Sequence, residues 1–287
     1  MDTRLYLALL IVSLVTLLIT PKLYWVVSYP TVMAVIGSSL AFGSISALIA
    51  ARRLYFLAHV TPHMALLATP LSAIVLGHKG GDWILAVLLV LVLVWTSGYA
   101  LYKGVSSDVI ASIMVSFTAS ATVLALYYAQ RIVGAGRVPQ LILGDPLLVT
   151  SFEGLTALIV GLLVAVFSLS IAREVFFVGV SRETALVSGL KVWIYDFTLY
   201  TLMALSVAIM LRITGFLVTS VLTLLPGAIA VIVARGSLQV TLASITIASI
   251  ASALGLLASI SLNMPPSGVT GLILVTIYAL ARVARFG

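Results

Sequence analysis

Trp83-Ile84-Leu85-Ala86-Val87-Leu88-Leu89-Val90-Leu91-Val92-Leu93-Val94-Trp95 runs on through Leu101 without a charge and stops only at Lys103. A water-exposed helix needs a polar face, and this stretch offers none. A membrane-spanning helix needs about 20 apolar residues, and residues 83–101 supply them. Similar runs recur along the whole chain. They predict spans over residues 5–27, 31–51, 59–77, 83–101, 108–129, 152–172, 194–211, 215–234, 238–260 and 267–283. The first follows Asp2 and Arg4 like a secretory signal. No small-residue cleavage site comes after it; Pro21-Lys22 and the aromatic group Tyr24, Trp25 and Tyr29 do, as at a membrane interface.

Composition agrees. Of 287 residues, 62% are hydrophobic and 8% charged, and mean hydropathy is +1.28. Soluble domains hold about 25% charged residues, so soluble and disordered classes are excluded. Ten spans leave short connections and no room for a folded soluble domain, so residues 1–287 are expected to form one transmembrane domain. The net charge of +7 could suggest nucleic acid, but the basic residues stand singly between apolar runs. They read as topology signals. Arg4, Arg52, Arg53, Lys103, Arg173, Arg182, Lys191, Arg235, Arg282 and Arg285 fall on one side. Lys22, Lys79, Arg131, Arg137 and Arg212 fall on the other. The excess puts both termini in the cytoplasm. With no cysteine, neither a disulfide nor a thiolate metal site can form.

Within the spans, polar groups are the informative ones. His59 and His63 lie four apart, on one helical face. Two imidazoles so placed can hold one divalent metal, but a closed site takes about four ligands; a second copy of the chain could supply the rest. The alternative is an interfacial pair bonded to its neighbours. His78 reads as a solvated loop residue, and Asp196 and Arg212 as interfacial side chains at the ends of the seventh span. No carboxylate falls deep in a predicted span, which argues against a proton-coupled carrier. No phosphate-binding loop and no His-Glu-x-x-His motif occurs, so any ATP-driven pumping must draw on another subunit. Serines and Gly255 crowd the ninth span, a close-packing feature. On the cytoplasmic side, residues 179–190 read as a short surface helix. Ser181 is its candidate N-cap and Gly189 its C-cap; it is either an ordinary amphipathic loop or a docking element.

From about residue 31 onward the chain resembles the membrane permease subunits of the zinc/manganese/iron group of ATP-binding-cassette importers. Arg52-Arg53-Leu54-Tyr55-Phe56-Leu57-Ala58-His59, with His63 after it, is similar to that group's Arg-Arg-Met-Ser-x-x-Gly-Asp-x-x-x-His. Leu143-Gly144-Asp145-Pro146-Leu147-Leu148-Val149 resembles its Phe-Gly-Asp-x-Leu-x-Val. Glu183, Ala185 and Gly189 match its cytoplasmic docking segment. Thr214-Gly215-Phe216-Leu217-Val218 through Leu225-Pro226-Gly227-Ala228 resembles Val-Gly-x-Leu-Leu-Val…Pro-Ala-Ala, and Pro265-Pro266-Ser267-Gly268 falls before the last span. His59 stands where the group has Asp, and Ser116 where some members have His.

The resemblance implies an all-α, multi-pass cell-membrane permease with a type II importer-like fold, acting as a homodimer. It implies His59 and His63 on the metal pathway and Ser116, Gly144, Asp145, Gly215 and Pro226 along the gate. Ser181, Arg182, Glu183, Ala185 and Gly189 would dock separate cytoplasmic ATPase subunits, and an extracellular metal-binding lipoprotein would deliver cargo. No permanent cofactor is implied: a divalent ion, Zn²⁺ foremost with manganese or iron next, is cargo, and ATP binds the partner chain. The paired imidazoles suit zinc better than manganese. The rival readings are a siderophore, haem or cobalamin permease, a secondary transporter, and an intramembrane metalloenzyme.

Overall fold

The computed structural model of the chain describes residues 3–23, 27–76, 82–133, 147 and 149–286. Among these, the regular elements are helices: α1 (Thr3–Leu23), α2 (Tyr29–Arg52), α3 (Tyr55–Leu76), α4 (Asp82–Tyr102), α5 (Ser107–Val133), α6 (Ser151–Val180), α7 (Arg182–Val187), α8 (Val192–Val233), α9 (Ser237–Leu262) and α10 (Pro266–Phe286). Ser28 caps α2, with Pro30 in its first turn. Thr150 and Glu153 form a reciprocal capping box at α6, which satisfies backbone donors that the membrane could not.

α8 decides the topology. Its 42 residues, if straight, would reach about 63 Å, twice the roughly 30 Å hydrocarbon thickness. The helix breaks at Gly215 (φ 79°, ψ 167°). Near its start, Asp196 forms an ion pair with Arg52, the last residue of α2. Far along it, Gly227 N–H donates to Ser46 Oγ at 2.8 Å, less than two turns from the same end of α2. Between them, Arg212 reaches Asp82, the first residue of α4, at 3.4 Å. Residues 192–214 therefore climb to the outer face, and 216–233 return. Eight described helices are long and apolar enough to cross a membrane; with α8 counted twice and the shorter apolar run Tyr6–Thr20 of α1 added, the described residues give about ten passes. Tyr6 in α1 donates to the Val233 carbonyl at 3.2 Å, so the start of α1 and the end of α8 share the inner side.

α2 is the central post. It is buried almost throughout, from Thr31 to Ala50, which a membrane helix achieves only when other helices surround it. α6 runs beside it in the same direction. Gly154 meets the Pro30 carbonyl, Gly161 meets Gly37, and Gly179 meets the Ala51 carbonyl. Small residues let the two backbones touch, so close packing rather than hydrophobic expulsion holds the pair. α9 packs on the opposite side, where Ser244 Oγ donates to the Gly43 carbonyl at 2.5 Å.

Three expectations change. α3 begins at Tyr55 rather than 59, so His59 lies inside the helix. α6 continues to Val180, eight residues beyond the apolar run, because hydropathy ends where charge begins while backbone hydrogen bonding does not. Asp196 is 4% exposed rather than interfacial, since Arg52 neutralises it inside the protein.

Candidate metal pathway and docking segment

α3 shows how its histidines are presented. Leu57, Ala58, Val60, Thr61, Met64, Ala65, Leu67 and Ala68 are buried, while His59 is exposed and His63 half-buried. The open stripe continues through Leu66 and Thr69, at helical spacing. The imidazole centroids lie 5.5 Å apart, edge to face. Two histidines ligating one tetrahedral ion at about 2.1 Å would hold their centroids roughly 5.2–5.5 Å apart. The separation is compatible with shared coordination and equally with ordinary edge-to-face ring packing. Phe216, directly after the break in α8, packs its ring 4.8 Å from His63. The break therefore also shapes one wall of the histidine site.

His59 borders a cavity of about 580 Å³ between α3, the returning arm of α8 and α10; Tyr55, Ala228, Tyr278, Arg282 and Arg285 also line it. A larger cavity of about 690 Å³, walled by Trp95, Phe167, Trp193 and Phe197, lies between α4, α6 and α8. It has no ionisable lining and suits acyl chains rather than ions. Among the described residues no group of three or more His, Cys, Asp or Glu converges on a metal-sized site. Among the described residues His59 and His63 are thus a pair of imidazoles that no third such donor joins.

Gly215 and Pro226 lie in α8, both buried, and Pro226 precedes the Gly227–Ser46 hydrogen bond. Ser116 lies on the exposed face of α5 and is not part of the histidine cavity. Gly144 and Asp145 lie outside the described residues, as does His78. The role of Phe216 escaped sequence reasoning. Its signal was its place directly after a glycine that must turn the chain.

Within 179–190 the surface helix is shorter than expected, Arg182–Val187, because Gly179 and Val180 still belong to α6, but its caps are the expected ones. Ser181 Oγ accepts from Thr184 N–H at 3.2 Å and caps α7. Gly189 takes φ +81°, which lets Leu190 N–H reach the Ala185 carbonyl at 3.1 Å. Ala185 is buried with Val178 and Val192, so α7 is seated on the ends of α6 and α8. Arg182 stacks over the Tyr102 ring at 5.3 Å. Glu183 is exposed, and Leu186 and Val187 are 54% and 90% exposed.

A bundle of membrane-length helices with a capped surface helix at one end is the architecture of a multi-pass membrane protein. The ABC 3 transport family matches residues 27–285, so the chain belongs to that family and is a permease of the metal-importer group of ATP-binding-cassette transporters, a multi-pass cell-membrane protein. Solved structures share the fold. PsaBC from Streptococcus pneumoniae, in complex with a Fab, is 18% identical with a TM-score of 0.78; the match covers 92% of this chain and 94% of that one. A metal-chelate type ABC transporter in an inward-facing conformation is 16% identical with a TM-score of 0.73, covering 96% and 98%. No curated protein sequence matches the chain.

Proposed function

We propose that this permease imports a divalent transition metal ion, zinc foremost and manganese or iron next. It would work as a homodimer, with two cytoplasmic ATPase subunits docked on residues 179–190 and a metal-binding lipoprotein docked outside. The observation that carries the reading is the His59–His63 pair, at coordination spacing on the accessible stripe of α3. Neutral imidazole is a borderline ligand suited to zinc, whereas manganese prefers oxygen. Two imidazoles bind incompletely, which suits a transit site: an ion must leave as readily as it enters. Two copies would present four imidazoles if these stripes face one another.

The proposed mechanism is alternating access. ATP binding on the partner draws the docked α7 segments together, and the helices pass the ion from an outward-open to an inward-open arrangement. Gly215 and Pro226, with Gly144 and Asp145, are the proposed gate residues, and Ser116 is a further candidate on the pathway. A second reading, import of a metal chelate, draws on the 580 Å³ of the cavity and on Arg282 and Arg285 in its lining, which suit a bulky anionic complex better than a bare cation.

The test is uptake of Zn²⁺ and Mn²⁺ by the reconstituted transporter at matched protein levels. His59→Ala and His63→Ala should each cut zinc uptake about tenfold or more while assembly with the ATPase persists. His59→Asp should retain part of the flux and shift preference toward Mn²⁺. Unchanged flux in both Ala variants would remove the pair from the pathway.

A further inference from the structure

The inner end of α2 is held from both sides by the two helices that flank α7. Before α7, Gly179 of α6 lies against the Ala51 carbonyl, so closely that a Cβ at 179 would overlap it. After α7, Asp196 of α8 forms its ion pair with Arg52, whose side chain is 12% exposed against 5% for Asp196. α7 itself cannot slide freely, because Ala185 is buried with Val178 and Val192 on those same two helices. From Arg52 the chain needs only one residue in a left-handed conformation, Arg53 at φ 55°, before α3 begins. Leu54 N–H still bonds the Ile49 carbonyl at 3.1 Å, and Ala58 N–H bonds the Leu54 carbonyl at 3.0 Å. The corner is thus hydrogen-bonded into both α2 and α3, and His59 lies one turn beyond it.

We propose that Arg52 and Asp196 are positioning residues that carry movement of the 179–190 segment through the α2–α3 corner to the histidine face of α3. This rests on the docking role proposed above for that segment. The physical reason is stiffness. A displacement of α7 moves the first turn of α8. A buried ion pair in low dielectric resists separation far more than an apolar contact does, so Arg52 follows. The two-residue corner has no slack to absorb the shift, so α3 moves as a unit. The other helices that meet α8 near this level offer softer links: Tyr200 fills the notch at Gly98 of α4, and Trp95 donates to Thr201 Oγ1 at 3.0 Å.

The absence of cysteine gives a readout independent of cargo. Phe56→Cys introduces a single thiol at a position 49% exposed, one residue into α3 and beside the cavity. The permease–ATPase complex is treated with maleimide, with and without ATP and vanadate. The labelling rate should change about fivefold or more on trapping, the lower range for coupled sites. Adding Asp196→Asn or Arg52→Gln should abolish most of that response, while ATP hydrolysis by the complex stays within about twofold. Arg52→Lys, which keeps the charge, should restore at least part of it. A purely structural role predicts that response, hydrolysis and assembly fall together and that Arg52→Lys does not rescue; that outcome overturns the proposal. So does a full response in Asp196→Asn. A wild-type background that binds the ATPase without any response overturns this inference and leaves the docking reading standing, whereas ATPase binding that survives Glu183→Lys and Gly189→Pro overturns the docking reading itself. Loss of metal uptake with the response intact touches only the cargo assignment.

Discussion

Replacing Gly215 by Ala tests the joint on which the ten-pass topology rests. Gly215 has φ 79° and ψ 167°, a region that is essentially glycine-only, and a side chain forced there costs about 1–3 kcal/mol. The joint cannot relax into continuous helix, because residues 192–233 would then overrun the membrane. Nor can it shift easily: Thr214 and Thr219 hydroxyls bond across it at 3.0 Å, and Phe216 is packed on His63. The strain should therefore appear as lost stability. At about 2–4 °C per kcal/mol for a chain of this size, the melting temperature in detergent should fall by roughly 2–12 °C. Gly268→Ala is the control, since a Cβ there meets nothing within 4 Å; it should melt like the wild type. The assay is thermal unfolding of purified protein followed by fluorescence-detected gel filtration. A Gly215→Ala variant that melts with its control would refute a left-handed joint between the two arms of α8. Because the joint positions Phe216, zinc uptake should fall more than stability alone explains.

Topology can be read with single cysteines. Phe152→Cys, 73% exposed at the start of α6, should react only with reagent added outside, and Val187→Cys, 90% exposed on α7, only with reagent added inside; the reverse pattern would invert the molecule. Glu183→Lys reverses a charge on the exposed face of α7, and Gly189→Pro removes the φ +81° turn that closes it. Both should abolish co-purification with the ATPase while the spans remain folded, and normal ATPase-driven transport in both would mean that docking lies elsewhere. Gly179→Val should destabilise the α2–α6 contact by about 1–3 kcal/mol through overpacking, seen as a lower melting temperature, because its Cβ would meet the Ala51 backbone rather than a movable side chain.

Hydropathy alone located nearly every span, because in a membrane the backbone must bond internally and the side chains must be apolar, and both demands are written in consecutive residues. Runs such as 83–101 needed no partner to be recognised. The capped α7 was equally local: Ser181 and Gly189 act on atoms within a few residues of themselves. The four-residue spacing of His59 and His63 fixed their common face for the same reason. What the sequence could not carry were relations between distant residues. Asp196 looked interfacial until Arg52, 144 positions away, was found beside it, and charge has no address in a sequence. The central burial of α2 rests on glycines of α6 meeting its backbone, a fit that depends on two helices at once. The crossing and return over 194–211 and 215–234 were legible as two apolar runs, but the joint itself is tertiary: only Arg52, Asp82 and Ser46, bonded to different points of α8, fix where its two arms stand against α2 and α4.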